Sequence, residues 1–222
     1  EASGTLRHLT KWSGFSIASV SMGQEIAVTT LQLAMAYAAI ANGGFLMKPL
    51  LVKQIIDNNG NSIYKETPEV LRKVSNPLVM KNLTNMLTRV VETGTGTSAY
   101  IPGWSIAGKT GTAEKFIDGE YSKTKYISNF AGFFPAENPQ IVGIFVLNEP
   151  KYGFHWGGIG AATIFNRVVK RIINMDDSIQ IMKDKYKKVQ EPLMMVDSYN
   201  KSDEDQMKPM FTRVAYVNID EL

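Results

Sequence analysis

Lys109, Thr110, Gly111 and Thr112 bring a cation, hydroxyl groups and a nearly bare backbone into four consecutive residues. They lie in the stretch Trp104 to Ala113. There Trp104, Ile106 and Gly108 alternate with Ser105, Ala107 and Lys109, the two-residue period of an extended chain. Gly108 and Gly111 flank the Lys-Thr pair. A glycine inside a strand marks close approach by a ligand or another backbone. A cation, a hydroxyl and exposed strand amides suit an extended substrate that ends in a carboxylate. Such a substrate pairs with the strand edge while Lys109 and Thr110 hold the anion. The Lys-Thr-Gly triplet alone favours a plainer reading, an ordinary strand with a solvated lysine.

The elements that must position this strand are legible around it. Thr29 to Asn42 reads as a helix. Thr29 and Gln32 fit a capping box, Gly43-Gly44 supplies the stop, and Leu31, Leu33, Met35, Tyr37 and Ile40 surround nearly the whole cylinder. A helix apolar on all sides is buried and serves the core. Phe45 to about Lys73 reads as β. Asn59-Gly60 marks a hairpin between Leu51–Ile56 and the returning Ser62–Lys65, and Pro68 limits further pairing. Asn76 caps the next helix with Pro77 in its first turn, and Val79, Leu83, Met86, Leu87, Val90 and Val91 form its apolar spacing. Thr93 to Thr97 alternates threonine with glycine on the way to the Lys109 strand.

Beyond that strand, Glu114 to Lys125 is expected to be a polar loop. Tyr126–Phe134 and Ile141–Leu147 read as strands, and the short Pro135–Gln140 turn makes them antiparallel. Gly157-Gly158-Ile159-Gly160 leads to a helix over 161–173, with Ile164, Val168 and Ile172 on one face. Residues 1 to 22 read as a loop packed on the domain. His8, one of only two histidines, leaves little for a metal cluster and reads as a surface residue, and His155, with no foreseeable acidic partner, reads as structural.

Composition narrows the class of protein. The 222 residues are 44% hydrophobic and 20% charged, an ordinary globular mixture. A net charge of +3, with no basic run interleaved with aromatics, gives no footprint for nucleic acid. Cysteine is absent and histidine occurs twice, so disulfides and thiolate metal sites are excluded and no metal ligand set is foreseen. No stretch approaches eighteen apolar residues. Residues 176–222 hold seven Lys or Arg against ten Asp or Glu, while residues 1–175 hold seventeen against eleven. This shift divides the chain into a domain over 1–175 and a polar tail over 176–222. In the tail Ser198–Asp205 is expected to be mobile, Met182–Lys188 could form a helical turn or two, and Phe211–Val217 could add a strand.

Several separate motifs occur in order. Gly23-Gln24-Glu25-Ile26-Ala27-Val28-Thr29-Thr30-Leu31-Gln32-Leu33-Ala34 runs into Ala36 to Gly44. Val90-Val91-Glu92-Thr93-Gly94-Thr95-Gly96-Thr97 follows, then Ala107 to Glu114 around the Lys-Thr-Gly triplet, then Ser128-Asn129-Phe130-Ala131-Gly132-Phe133-Phe134-Pro135. From about Trp12 to about Ile173 the chain resembles the penicillin-binding proteins, and among them the class B peptidoglycan D,D-transpeptidases. The resemblance implies an α+β fold of the penicillin-binding-protein and serine β-lactamase type, an antiparallel sheet packed between helices. It also implies attack by a serine on the terminal D-Ala-D-Ala of a stem peptide, an acyl-enzyme, transfer to a neighbouring stem amine, and inhibition by β-lactams. It implies no cofactor. In that scheme the Thr110 hydroxyl binds the substrate carboxylate, and Lys109 supplies positive charge and orients the serine of a serine-x-asparagine motif. Gly111 keeps the strand face open, and the Thr112 amide is half of an oxyanion hole. The Thr93–Thr97 loop lies near the rim of the site. The implied location is the extracytoplasmic side of the bacterial envelope, in a parent protein anchored by an N-terminal helix, possible partners being other cell-wall synthesis proteins.

The same family needs a serine-x-x-lysine at the head of a buried helix and a serine-x-asparagine on a loop, both before the Lys-Thr-Gly strand. Ser62–Lys65 precedes it but falls on an expected strand. Ser122–Lys125 and Ser198–Lys201 follow it, and Ser198-Tyr199-Asn200 imitates the second motif. All are read as chance matches. The fold is therefore expected to be incomplete, with the nucleophile, its lysine and the serine-x-asparagine upstream of Glu1. No catalytic residue is assigned within the chain, which by itself is expected to be inactive and to need the N-terminal part of its own domain. A serine β-lactamase or β-lactam sensor, a bifunctional glycosyltransferase-transpeptidase and a scaffold that has lost its nucleophile stay open as alternatives.

Overall fold

The computed structural model describes residues 3–179 and, as backbone, the strand 213–216. The first segment is not the packed loop expected of it. Strand β1 (Thr5–Leu6) pairs antiparallel with β2 (Ile26–Ala27), and helix α1 (Ser16–Ser21) lies between them. Only Ser16 of α1 is buried, while Phe15 and Ile17 are 81% and 74% exposed. The elements are held locally, through Ser16, which donates to Glu25, and an Arg7–Glu25 ion pair.

Helix α2 (Thr30–Ala41) begins at the expected capping box: the Thr29 hydroxyl accepts from the Gln32 amide and the Gln32 side chain accepts from the Thr29 amide. Gly43 and Gly44 end it with φ of 67° and 98°. A Cβ at Gly44 would sit 2.3 Å from the Ser75 carbonyl, so only glycine fits there. The helix is less enclosed than its all-round apolarity predicts. Ala34, Ala38, Ala39 and Ala41 are buried, but Leu31, Leu33, Met35 and Ile40 are partly accessible and Ala36 is exposed. A groove of about 630 Å³ runs along it, lined by Leu31, Met35, Ile40, Leu46 and Met80 among others.

The next four strands form two small antiparallel pairs, β3 (Phe45–Met47) with β6 (Val70–Lys73) and β4 (Gln54–Ile56) with β5 (Ser62–Lys65). The Asp57 carboxylate accepts from the Asn59 and Asn61 amides and from the Asn61 side chain, which fixes the turn and holds that carboxyl below its usual range. Helix α3 (Pro77–Glu92) starts at the Asn76 cap, which accepts from the Val79 amide. Its buried residues are Met80, Leu87 and Val91. Val79 and Met86, expected on the inner face, are exposed.

The main sheet contains β7 (Ala107–Ile117), β8 (Glu120–Phe134), β9 (Ile141–Asn148) and β10 (Arg213–Tyr216) in the order β10-β9-β8-β7. The pairs β7–β8 and β8–β9 are antiparallel, while β10 joins β9 in parallel, within the Phe211–Val217 stretch. The expected polar loop over 114–125 is instead the far half of a long hairpin. Asp118 and Gly119 both take positive φ at its turn, and Phe116 meets Tyr121 edge to face at 5.2 Å. The charged residues hid the strand period, and the Asp-Gly turn with its aromatic cross-strand pair restored it. The other expectations on the tail lie outside the described residues.

Helices cover both faces of this sheet. Against α2 lie Ala131, Phe133, Val142 and Ile144. Against helix α4 (Ala161–Met175) lie Phe130, Phe134 and Phe145. The buried stripe of α4 is Ala161, Ala162, Phe165, Val169 and Ile173, one position over from the expected Ile164, Val168 and Ile172, which are only partly buried. Phe165 decides this, since its ring meets Phe130 at 4.7 Å and Phe145 at 5.7 Å. Helix α3 packs along β7. The expected α+β architecture is the one observed.

Candidate functional site

Strand β7 is an edge of the sheet among the described residues, so one row of its backbone groups is not taken up by a neighbouring strand. Lys109 is exposed, and Thr110, Gly111 and Thr112 are half-buried. The Lys109 ammonium donates to the Thr110 carbonyl at 2.8 Å. The Thr110 hydroxyl lies 2.8 Å from that of Thr95 in the loop that follows α3. The Thr112 hydroxyl accepts from the Gly157 amide at 3.0 Å. The segments before, within and after the sheet thus meet at two threonines of one strand, Thr110 and Thr112, two residues apart.

The glycines of this strand do a different job from the one expected. A Cβ at Gly111 would stand 2.3 Å from the Asn129 side-chain oxygen, and one at Gly108 would stand 2.4 Å from the Phe130 ring. The space over Gly111 is therefore filled by the neighbouring strand and is not left open for a ligand. What β7 leaves accessible is its edge and the side chains of Lys109 and Thr110. The same crowding explains the glycines after β9. A Cβ at Gly157 would lie 2.4 Å from the Gly111 carbonyl, and one at Gly158 would lie 2.4 Å from the Thr95 carbonyl. Only a chain without side chains can pass so close to β7.

That turn is itself anchored. His155 is 7% exposed, and its Nδ1 accepts from the Gly153 amide at 3.2 Å. Its ring lies against Tyr126, Tyr152 and Trp156, with centroids 4.9, 5.1 and 4.9 Å away. This is the structural histidine that was expected. His8 is exposed, and its Nδ1 lies within hydrogen-bond distance of the Thr10 hydroxyl and backbone amide. Across the base of the turn, Glu149 binds Lys115 and Lys125, and the hydrogen bond from Lys115 is the largest influence holding its carboxyl below the usual range. No group of three or more acidic, histidine or cysteine side chains that could hold a metal exists among the described residues.

The three serine-x-x-lysine matches are not catalytic arrangements where they can be seen. Ser62–Lys65 is β5, and the Ser122 hydroxyl, within β8 and not in a loop, accepts from the Thr124 and Lys125 amides. Ser198–Lys201 lies outside the described residues. Sequence reading named the strand and set the Thr93–Thr97 loop near the rim of the site, but gave no individual role to Thr95, Gly157 or Gly158. The alternation of threonine and glycine in 93–97 and the Gly-Gly pair at 157–158 were the available signals.

An edge strand carrying Lys-Thr-Gly-Thr, on a mostly antiparallel sheet between helices, is the α+β arrangement that the sequence resemblance implied. The family model of the penicillin-binding protein transpeptidase domain matches residues 1–170, and the chain belongs to that family. Over 176 residues it is 32% identical to a probable peptidoglycan D,D-transpeptidase PenA of Neisseria meningitidis, covering 79% of this chain and 28% of the relative. Stage V sporulation protein D of Bacillus subtilis is 33% identical over 171 residues, covering 77% of this chain and 26% of the relative. The crystal structure of penicillin-binding protein 3 from Mycobacterium tuberculosis without ligand superposes with a TM-score of 0.69 at 29% identity, covering 80% of this chain and 42% of that one. The chain therefore spans little more than a quarter of the curated relatives' length.

Proposed function

We propose that this chain is the substrate-recognition portion of a peptidoglycan D,D-transpeptidase that cross-links stem peptides through a serine acyl-enzyme and is acylated by β-lactams. The observation that carries this reading is the unpaired edge of β7 with Lys109 and Thr110 accessible beside it. A stem peptide ending in D-Ala-D-Ala extends along that edge. The Thr110 hydroxyl donates to its terminal carboxylate, and Lys109 supplies the neighbouring positive charge and orients the serine of the serine-x-asparagine motif. The Thr112 amide is one donor of the oxyanion hole, a contribution typically worth about 3 kcal/mol in the transition state. The nucleophile, its lysine and the second motif come from a segment outside these 222 residues, as does the membrane anchor. No helix among the described residues is long and apolar enough to cross a membrane. The site faces the extracytoplasmic side of the envelope. The expected division into a domain over 1–175 and a separate tail over 176–222 does not hold, since Ile179 is buried in the core and β10 pairs with β9 in the main sheet. Solved relatives support the ligand class, since the mycobacterial penicillin-binding protein 3 was also crystallised with aztreonam and with ampicillin.

The test is acylation by a fluorescent penicillin. The full-length protein should label stoichiometrically and deacylate slowly, and mixing this chain with the separately made N-terminal portion should restore labelling. Rapid hydrolysis would identify a β-lactamase instead, and no labelling of the full-length protein would identify a scaffold.

A further inference from the structure

We infer that Thr95 is a positioning residue for anion recognition, because its hydroxyl sets the direction in which the Thr110 hydroxyl donates. The inference rests on the reading of Thr110 as the carboxylate ligand.

The two hydroxyl oxygens are 2.8 Å apart, a full hydrogen bond, and Thr95 and Thr110 are fifteen residues apart in the chain. The contact is built into the fold. The Gly96 amide donates to the Val90 carbonyl at 2.9 Å, and the Ala99 amide donates to the Gly96 carbonyl at 2.8 Å. Ala99 is fully buried, and the Asn166 side chain of α4 donates through its Nδ2 to the Tyr100 carbonyl at 2.6 Å. On its other side the Thr95 carbonyl lies against Gly158, where a Cβ would come within 2.4 Å. Thr95 is exposed, but its hydroxyl meets β7 and its carbonyl meets the turn before α4, and its β-branched side chain has few rotamers available.

Each hydroxyl has one proton to give, and the pair uses one of the two between its own oxygens. If Thr110 donates to Thr95, Thr110 has no proton left for a ligand. If Thr95 donates to Thr110, the Thr110 proton is free to point outward. A carboxylate can only accept, so it selects the second arrangement, a chain running from Thr95 through Thr110 to the anion. Donating while also accepting polarises the Thr110 hydroxyl and strengthens its bond to the charged ligand. Without the Thr95 hydroxyl, Thr110 could still donate, but its rotor would be unguided and its oxygen less polarised. The effect should appear only with ligands that carry the carboxylate.

The experiment compares acylation of the full-length protein by benzylpenicillin and by its methyl ester, in which the carboxylate is masked. The wild type should prefer the acid. In Thr95→Val the acid should lose about tenfold in acylation efficiency, the upper end of what one neutral hydrogen bond contributes, while the ester changes little. Thr95→Ser, which keeps the hydroxyl, should restore the acid rate. Thr110→Val separates the two claims. Loss of the acid preference in Thr110→Val but not in Thr95→Val overturns the role of Thr95 and leaves that of Thr110 standing. A wild type with no preference for the acid overturns the reading of Thr110 itself. Equal losses for acid and ester in Thr95→Val, or no rescue by serine in a variant that melts like the wild type, would make Thr95 merely structural. Should the valine variant fold poorly, Thr95→Ala is read against Thr95→Ser in the same way.

Discussion

Replacing Thr112 by valine should loosen the turn before α4 without touching the backbone of β7. Valine keeps the shape of threonine and removes only the hydroxyl. That oxygen accepts from the Gly157 amide at 3.0 Å, and Gly157 is buried between the Gly111 and Asn129 backbones. In the variant a buried amide loses its acceptor, a loss of about 1–3 kcal/mol. The neighbouring Ile159 is 52% exposed, so water can approach and the lower half of that range applies. For a chain of this size about 1–2 kcal/mol corresponds to a fall of about 2–8 °C in Tm. Thermal unfolding of Thr112→Val and Thr112→Ser reads the first effect, and serine should recover most of the loss. Hydrogen exchange at the Gly157 amide reads the second, with faster exchange in the valine variant alone. A valine variant that melts with the wild type and protects Gly157 equally would refute the reasoning, because the hydroxyl would then contribute nothing to holding the turn.

Further outcomes follow from the site. The 222-residue chain alone should form no covalent adduct with a fluorescent penicillin, and intact-mass spectrometry showing a stoichiometric adduct on Ser62, Ser122 or Ser198 would sink that expectation. In the full-length protein Lys109→Ala should slow acylation at least tenfold while changing stability by under about 0.5 kcal/mol, as for other exposed surface residues. A variant that unfolds and leaves the acylation rate of the surviving fraction unchanged would make Lys109 structural. Because Phe15, Ile17 and Leu51 are exposed and a groove flanks α2, the chain alone should bind a hydrophobic dye and self-associate. A dye-free, monodisperse monomer would contradict this.

Local rules determined the parts of the molecule that depend on neighbours in sequence. The capping box at Thr29 and Gln32, the Asn76 cap, the Asn59-Gly60 turn and the antiparallel pairing across Pro135–Gln140 all follow from hydrogen-bonding and backbone preferences within a few residues. So do the period of the Lys109 strand and the order of motifs that carries the family resemblance. Tertiary packing decided which apolar residues lie inside. On α4 the periodicity allowed two adjacent stripes, and the Phe165 ring settled on the one that meets Phe130 and Phe145. On α3 it allowed Val79 and Met86 a place inside that Met80 and Leu87 took. The hairpin beyond Glu114 was hidden because charged residues on a ribbon exposed on both faces show no hydrophobic alternation.

The site divides in the same way. Lys109 to Thr112 announce themselves by type and adjacency. Their partners, Thr95 and the Gly157-Gly158 pair, are fifteen and forty-five or more residues away, and nothing in a threonine or a glycine states what it will touch. Their meeting exists only because α3 packs along β7 while α4 covers the sheet, bringing the loops that join them to the sheet over one strand. A hydroxyl pair and a clamped amide arise from that convergence, since short-range hydrogen bonds can select a partner only after packing has brought it within about 3 Å.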